Sequence, residues 1–306
     1  MKRQVFRFFA LAALLGSVAL PAACASLDNE YDEITAERIA RPAFMVERRL
    51  ESGGMDFQLW ERMHKRYAPA NIYIEGDGQP TYLNRDVSED PTPDNPVALH
   101  LASRDNADNL VYISRPCQFR ESPDTKVCSD KLWSTRRFGP EVIAAYNQAI
   151  DEIKLRYDIT EFNLIGYDGG ANIAAVIATT REDVASLRTV AGDLNPAVVL
   201  PQTGQVLDAD NLKAPDIAPA LAKTPQHHFV GAGDEVTPPS VYHSFRQAMG
   251  DSECVHYSLV QDADHERGWV EKWPELLKAP IDCPPPYVPV ELPPVPKHIS
   301  KDGPNK

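Results

Sequence analysis

Basic residues are scarce in this chain relative to acidic ones. It has 31 Lys and Arg against 44 Asp and Glu among 306 residues, which gives a formal net charge of −13 at pH 7. So acidic a chain is a poor candidate for binding nucleic acid or an anionic membrane surface, because like charges repel. We therefore expect a small-molecule substrate, and no pattern in the chain identifies a protein partner.

Common metal-binding patterns and internal repeats are also lacking. Neither a C-x-x-C nor an H-E-x-x-H spacing occurs, and these are spacings in which pairs of Cys or His side chains bind zinc. No other motif implies a bound group. We predict a protein that uses no metal and no cofactor.

The apolar run near the N-terminus, Phe8 to Leu20, is too short to span a bilayer comfortably. Basic residues precede this run and small residues follow it, namely Lys2, Arg3 and Arg7 before it and Pro21-Ala22-Ala23-Cys24 after it. A basic end, a short apolar core and small residues before a cleavage point are typical of a secretory signal.

Cys24, after two alanines, resembles the cysteine of a bacterial lipoprotein box, which is lipidated and becomes the mature N-terminus. Ordinary signal-peptidase cleavage after Ala25 is the alternative, since Pro21 is unusual at its position in such a box. We predict a signal peptide over residues 1–23 and lipidation of Cys24. The location would be the cell envelope, at the outer membrane or in the periplasm.

The cysteine count agrees with export. Without Cys24, four of the five cysteines remain, and an even number in an exported chain indicates two disulfides. Cys117 with Cys128 would close a long loop, and Cys254 with Cys283 would tie the last helix to the final strand.

The most informative pattern joins a strand, a glycine turn and a helix. Residues 162–170, Phe-Asn-Leu-Ile-Gly-Tyr-Asp-Gly-Gly, indicate a buried strand that enters a turn, and residues 171–178 indicate a helix of small residues. Gly166 and Gly170 flank Asp168 and remove Cβ atoms that would collide in a tight bend. Asp tolerates strained backbone better than most residues. The first N–H groups of the helix would stabilise negative charge at the turn.

Three further motifs follow strand-like segments. Residues 71–78 run from an apolar strand into Gly76-Asp77-Gly78, and residues 228–239 run from a strand through Gly-Ala-Gly to Asp234 and a Pro-Pro helix start. Residues 262–269 place His265 in a loop after the strand 255–260. His265 is the one histidine of eight that follows Asp234 in a loop of this kind.

These four motifs resemble those of the α/β-hydrolase superfamily, over roughly residues 43–280. The family's G-x-S-x-G elbow matches here except that Asp168 replaces the nucleophilic serine. The order of nucleophile, acid and histidine is also the family's order. The resemblance implies Asp168 as nucleophile, Asp234 as the acid that orients the histidine, and His265 as base.

Two points in this assignment stay open. Asp193 is a rival to Asp234, because some family members place the acid after the preceding strand. The resemblance also implies an oxyanion hole formed by the N–H of Gly169 and by one N–H from Gly76, Asp77 or Gly78.

A carboxylate nucleophile changes the chemistry that the resemblance implies. Attack on an acyl group would give a mixed anhydride, whereas attack on an alkyl carbon gives an ester that a His-activated water can cleave. The dehalogenase and epoxide-hydrolase branches use their Asp in this way, but they follow it with Trp and carry a large helical cap. Here Gly169 follows Asp168, and only 35 residues separate Ala191 from His227.

The surrounding sequence is more similar to esterase- or lipase-like envelope lipoproteins, in which Gly-Tyr-Ser-Gly-Gly is expected at the elbow. Two hypotheses follow. The chain is a hydrolase of ester-type or alkyl substrates with an Asp-His-Asp constellation, or it is an inactive hydrolase-fold protein with a binding or structural role.

The order of elements predicts an α/β fold with a mostly parallel sheet, helices on both faces and no large cap. Ser52-Gly53-Gly54 separates two alternating segments, which indicates an antiparallel hairpin at the start. We place a tether at residues 24–42, the α/β-hydrolase domain at residues 43–283 and a Pro-rich tail at residues 284–306.

Overall fold

The computed structural model describes residues 34–81, 86–120 and 128–283, without the side chains of residues 202 and 203. The predicted signal peptide, Cys24 and the Pro-rich tail lie outside the described residues. No helix within the described residues is long and apolar enough to cross a membrane.

Within the described residues, eight strands form one sheet. The strands are β1 (Val46–Ser52), β2 (Met55–Met63), β3 (Ala70–Ile74), β4 (Asn109–Ile113), β5 (Phe162–Tyr167), β6 (Val184–Val190), β7 (Gln226–Gly231) and β8 (Val255–Val260). Their order across the sheet is β1-β2-β4-β3-β5-β6-β7-β8. Strands β1 and β2 pair antiparallel, as do β2 and β4, and the remaining pairs are parallel. The predicted mostly parallel sheet is confirmed.

The hairpin at the start of the sheet also forms as expected. Ser52 pairs with Met55 across the turn, and Gly53 and Gly54 have φ of 58° and 72°. Glycine reaches these positive angles without the clash that a Cβ causes, so the two-residue turn is possible.

Helices cover both faces of the sheet. They are α1 (Val97–Arg104), α2 (Pro140–Tyr157), α3 (Gly169–Thr180), α4 (Pro196–Thr203), α5 (Ala214–Ile217), α6 (Pro239–Met249) and α7 (Trp273–Leu276). The buried side chains of α2, α3 and α6 belong to one core cluster, and those of α1 and α7 belong to the other. Successive side chains of a strand point to opposite faces of the sheet, so the strands contribute to both core clusters. In β3, for example, Ile72 belongs to the first cluster and Tyr73 to the second.

One stretch agrees with the sequence expectation of no large cap, and one differs from the expectation of a tether. The segment after β6 holds α4, α5 and a 3₁₀ helix at Ala218–Lys223, and the last two pack against α6 rather than forming a large cap. Residues 34–40 are helical, and Ala36 and Ala40 are fully buried in the second core. The C-terminal part of the predicted tether is therefore packed on the domain, because its small apolar side chains are buried in the second core cluster.

Both disulfide pairings are confirmed. Cys117 bonds Cys128, and Cys254 bonds Cys283. The first bridge closes the loop between β4 and α2, and the second joins the start of β8 to the segment that follows α7.

Candidate active site

Asp168 sits at the tip of a strained turn between β5 and α3. Its backbone angles are φ 47° and ψ −123°, a region that non-glycine residues occupy only where the surrounding structure holds them. A Cβ on Gly166 or Gly170 would collide with neighbouring backbone atoms. The two glycines therefore permit the close approach that the predicted elbow requires, and Asp168 is presented at the carboxyl edge of the sheet.

The loop after β3 meets the elbow through one hydrogen bond. The backbone N–H of Asp77 donates to Oδ2 of Asp168 at 2.9 Å, and the N–H of Gly169 also donates to the Asp168 carboxylate. These two N–H groups belong to residues named for the oxyanion hole. Gly76 does not join them, because its N–H donates to Oε1 of Glu75 at 2.9 Å.

His265 lies between two carboxylates. Its Nδ1 is 3.1 Å from Oδ2 of Asp234, and its Nε2 is 3.6 Å from Oδ1 of Asp168. Asp168, His265 and Asp234 therefore come together in the order that the sequence predicted. The side chains of Asp168 and His265 remain 14% and 17% exposed, whereas that of Asp234 is fully buried.

Asp234 is held in place by the turn that follows β7. Its Oδ1 accepts the N–H groups of Val236 and Thr237, and Oγ1 of Thr237 lies 2.7 Å from its Oδ2. Burial would raise the pKa of Asp234, but the hydrogen bonds from His265 and Thr237 outweigh burial and hold that pKa below its usual value. Asp234 is thus suited to orient His265.

Asp193, the rival acid, occupies a different position. Its backbone N–H donates to the carbonyl oxygen of Asp168 at 2.9 Å, and its Oδ2 is 3.4 Å from Nη2 of Arg137. Burial, together with the charges of Asp168 and Asp77, raises the pKa of Asp193 to about 7 in spite of Arg137. Asp193 supports the elbow backbone rather than contacting His265.

Two buried arginines form ion pairs with the side chain of Asp77. Nη1 of Arg115 forms an ion pair with Oδ1 of Asp77, and Nε of Arg137 lies 3.1 Å from Oδ2. Both arginine side chains are only 2% exposed. Nη2 of Arg115 also donates to the carbonyl oxygen of Arg137 at 2.6 Å. We call Asp77, Arg115 and Arg137 the arginine clamp, and it fixes the residue whose N–H binds Asp168.

The charges around the elbow shift two pKa values in ways that matter for catalysis. Burial and the charge of Asp77 raise the pKa of Asp168, against the opposing effect of His265. Burial disfavours the imidazolium of His265, but the hydrogen bond to Asp234 and the charge of Asp168 outweigh burial and raise its pKa to about 9. With a pKa of about 9, His265 is protonated at neutral pH.

The sequence did not indicate a role for Arg115, Arg137 or Thr237. Arg115 and Arg137 stand at the two ends of the loop that the Cys117–Cys128 bridge closes. A long disulfide-closed loop near the elbow was the available signal, but the sequence alone does not say which of its side chains turn inward. Thr237 lies three residues after the predicted acid, within hydrogen-bonding reach in a tight turn.

The sheet order, the elbow at the end of β5 and the positions of the acid and histidine loops define a protein with the α/β-hydrolase fold. Similar solved structures include the esterase Pf2001 of Pyrococcus furiosus, with a TM-score of 0.53 at 12% identity over 78% of this chain and 92% of that chain. Est1E from Butyrivibrio proteoclasticus is also similar, with a TM-score of 0.53 at 12% identity over 76% of this chain and 96% of that chain.

An acylaminoacyl peptidase from Pyrococcus horikoshii matches with a TM-score of 0.51 at 14% identity over 72% of this chain. The match spans 37% of that longer protein. No protein-family model matches the chain, and no curated protein matches its sequence. At these identities the comparisons establish the fold.

Proposed function

We propose that this protein is a hydrolase in which Asp168 attacks an alkyl carbon and forms an ester with the substrate. One observation carries the proposal. The carboxylate of Asp168 already accepts the N–H groups of Asp77 and Gly169, which in acyl-transfer hydrolases stabilise an oxygen of the substrate. An acyl substrate would have to displace that carboxylate, whereas an alkyl substrate needs no such site.

In the first step, Oδ1 of Asp168 forms a bond to a saturated carbon, and the leaving group departs with the bonding electron pair. Oδ1 is the candidate for this step because it is the oxygen beside His265, 3.6 Å from Nε2, whereas Oδ2 accepts the N–H of Asp77. The product is an alkyl ester of Asp168 whose carbonyl oxygen is Oδ2.

In the second step, water attacks the ester carbon of Asp168, and His265 takes its proton. Negative charge then develops on Oδ2, which the N–H of Asp77 already binds. The Cγ–Oδ1 bond then breaks, and His265 gives its proton to the departing alkoxide, which leaves as the alcohol and restores the carboxylate of Asp168. Esterification also removes the Asp168 charge that contributes to the pKa of about 9 at His265. Formation of the ester thus lowers the pKa of His265 and prepares it to act as base.

Oxygen labelling in a single turnover tests the mechanism. The enzyme would be incubated in H₂¹⁸O with a limiting amount of a bromoalkane or an epoxide that it is first shown to convert. Because water attacks the ester carbon, one ¹⁸O should enter the Asp168 carboxylate, and peptide mass spectrometry should find a gain of about 2 Da. Label in the alcohol alone would rule out the ester intermediate.

A second function, binding without catalysis, is favoured by the crowding at the elbow. The carboxylate of Asp77 lies directly over Gly169, where an added Cβ would strike it and Arg115. A site closed in this way by charged side chains could serve recognition of a partner rather than turnover. In that case Asp168→Ala would still complement a deletion strain at normal protein level, whereas loss of complementation would argue for catalysis.

We also propose export to the cell envelope and a lipid anchor on Cys24. The two disulfides support an oxidising compartment, and the leader resembles a lipoprotein signal. Membrane fractionation of cells that express the full chain, compared with Cys24→Ser, tests the anchor. The wild type should sediment with membranes and the variant should not; identical fractionation of the two would exclude lipidation as the cause.

A further inference from the structure

A cavity of about 460 Å³ lies at the opposite edge of the sheet from Asp168. Its polar lining consists of Asn71, Asp105, Asn163, Ser186 and Arg188. Asn71, Asn163 and Ser186 stand near the amino ends of β3, β5 and β6, whereas the elbow follows the carboxyl end of β5. The cavity is therefore separate from the candidate active site.

Arg188 has more hydrogen-bond donors than partners. Nη2 donates to the carbonyl oxygen of Leu277 at 3.4 Å, while Nε is buried without a partner. No carboxylate among the described residues forms an ion pair with it. In a chain with a net charge of −13, a largely buried guanidinium without a counter-ion is costly unless something else supplies negative charge.

Asp105, the one acidic residue of the lining, does not supply that charge. Its Oδ2 accepts hydrogen bonds from Nδ2 of Asn71 and from Oη of Tyr73, both at 2.7 Å. Its Oδ1 accepts the N–H of Ala107 at 2.8 Å. Asp105 therefore already has hydrogen-bond partners within the protein. Its negative charge favours the charged form of Arg188, but burial outweighs this effect and lowers the pKa of Arg188.

The rest of the polar lining forms a connected chain with donors to spare. Nδ2 of Asn163 donates to Oδ1 of Asn71 at 2.9 Å, and Oγ of Ser186 donates to Oδ1 of Asn163 at 2.6 Å. Each amide nitrogen uses one of its two N–H bonds in these contacts. The lining therefore offers a guanidinium and fixed amide donors to whatever occupies the cavity.

We propose that this cavity is a binding site for a small molecule that carries a carboxylate or a phosphate group. The anionic group pairs with the guanidinium of Arg188, whose fork of N–H bonds matches two oxygens of either group. The polar remainder of the ligand lies along Asn71, Asn163 and Ser186. A volume of about 460 Å³ falls in the range of small-molecule sites and exceeds what a bare ion needs.

The wall of the cavity is held in place by covalent and polar links. Leu277 and Ile281 form this wall, and the segment is tied to the domain by the Cys254–Cys283 disulfide. Nδ1 of His227 also lies 2.7 Å from the carbonyl oxygen of Pro280. Because the disulfide and the His227 contact hold the wall in place, a ligand would bind without having to order this segment first.

Thermal unfolding of the protein with two probe anions tests this site. Inorganic phosphate and succinate would each be compared with sodium chloride at equal ionic strength. At ten times its dissociation constant, a probe should raise the melting temperature by about 3 °C. Arg188→Gln should lose the rise, Arg188→Lys should keep part of it, and Arg38→Gln, which removes the same charge from an exposed position, should keep it fully.

The two probes also distinguish the two ligand chemistries. A rise with phosphate alone indicates a phosphate ligand, and a rise with succinate alone indicates a carboxylate. No rise over sodium chloride in the wild type, or an equal rise in Arg188→Gln, overturns the proposal. If Arg188→Gln does not fold, the wild type is treated with phenylglyoxal in the presence and absence of the effective probe. Peptide mass spectrometry should then show that the probe protects Arg188 from modification. Unprotected Arg188 is again a negative result.

Discussion

The backbone N–H of Asp77 donates to Oδ2 of Asp168 at 2.9 Å, which joins the loop after β3 to the elbow after β5. A carboxylate at this elbow therefore occupies the N–H groups that a serine in the same position would leave open. The residue type at position 168 therefore decides whether these N–H groups are available to a substrate, and so which class of substrate the site can use. This hydrogen bond is the basis of the first two predictions.

Replacing the nucleophile should change the substrate class. In Asp168→Ser the N–H groups of Asp77 and Gly169 become available to a substrate carbonyl, while His265 remains beside the new hydroxyl. We expect the variant to gain hydrolysis of p-nitrophenyl acetate by at least about 100-fold, since one oxyanion donor contributes 10²–10³ in rate, and to lose turnover of alkyl substrates. Initial rates on both substrate classes check this, with Asp168→Ala as the control that gains neither activity.

Removing the base should stop the reaction halfway. In His265→Gln, Oδ1 of Asp168 can still attack an alkyl carbon, but no side chain remains to activate the water. The alkyl ester should accumulate to about one per protein, and intact-protein mass spectrometry should detect the added alkyl mass after incubation with a bromoalkane. Asp168→Asn is the control and should stay unmodified. If the wild type converts the substrate but the His265→Gln protein stays unmodified, this result would argue against a covalent ester.

Breaking the arginine clamp should destabilise the fold. Asp77→Ala keeps the backbone N–H but leaves the guanidinium groups of Arg115 and Arg137 buried without their shared carboxylate. Removal of one partner from a buried ion pair costs about 3–5 kcal/mol, and we expect a loss of that size in the free energy of unfolding from urea titrations. Lys278→Ala, which breaks the exposed pair with Glu275, should cost less than about 1 kcal/mol.

Glu75 should make stability depend on pH. Burial raises the pKa of Glu75 from 4.5 to about 7, against the hydrogen bonds from Gly76 and Ala98. Between these two values the folded state binds more protons than the unfolded state, so the free energy of unfolding falls as the pH rises. Glu75→Gln removes this contribution.

The free energy of unfolding of Glu75→Gln, measured relative to wild type, should therefore increase by about 3 kcal/mol between pH 4.5 and pH 8. Urea titrations at intervals across this range provide the measurement. Glu47→Gln makes the same substitution at an exposed position of β1 and serves as control. A constant difference between Glu75→Gln and wild type would mean that Glu75 titrates at the same pH in both states.

Much of the fold could be predicted because its local signals are strong. The glycines around Asp168 and the turn at Gly53-Gly54 are required by backbone geometry that other residues resist, so they mark the elbow and the hairpin in the sequence itself. The motif order then predicted that Asp168, Asp234 and His265 meet at one edge of the sheet.

The sequence by itself determined the elbow and the parallel sheet, since each depends on residue types at short range or on a repeating pattern of burial. The even number of cysteines indicated two disulfides. Only the tertiary structure decided that Asp234 and not Asp193 contacts His265, and that the N–H of Asp77 and not of Gly76 reaches Asp168. These choices depend on where side chains and N–H groups point once distant loops pack together. Long-range packing also decided the arginine clamp and the cavity around Arg188, because their members come from segments far apart in the chain.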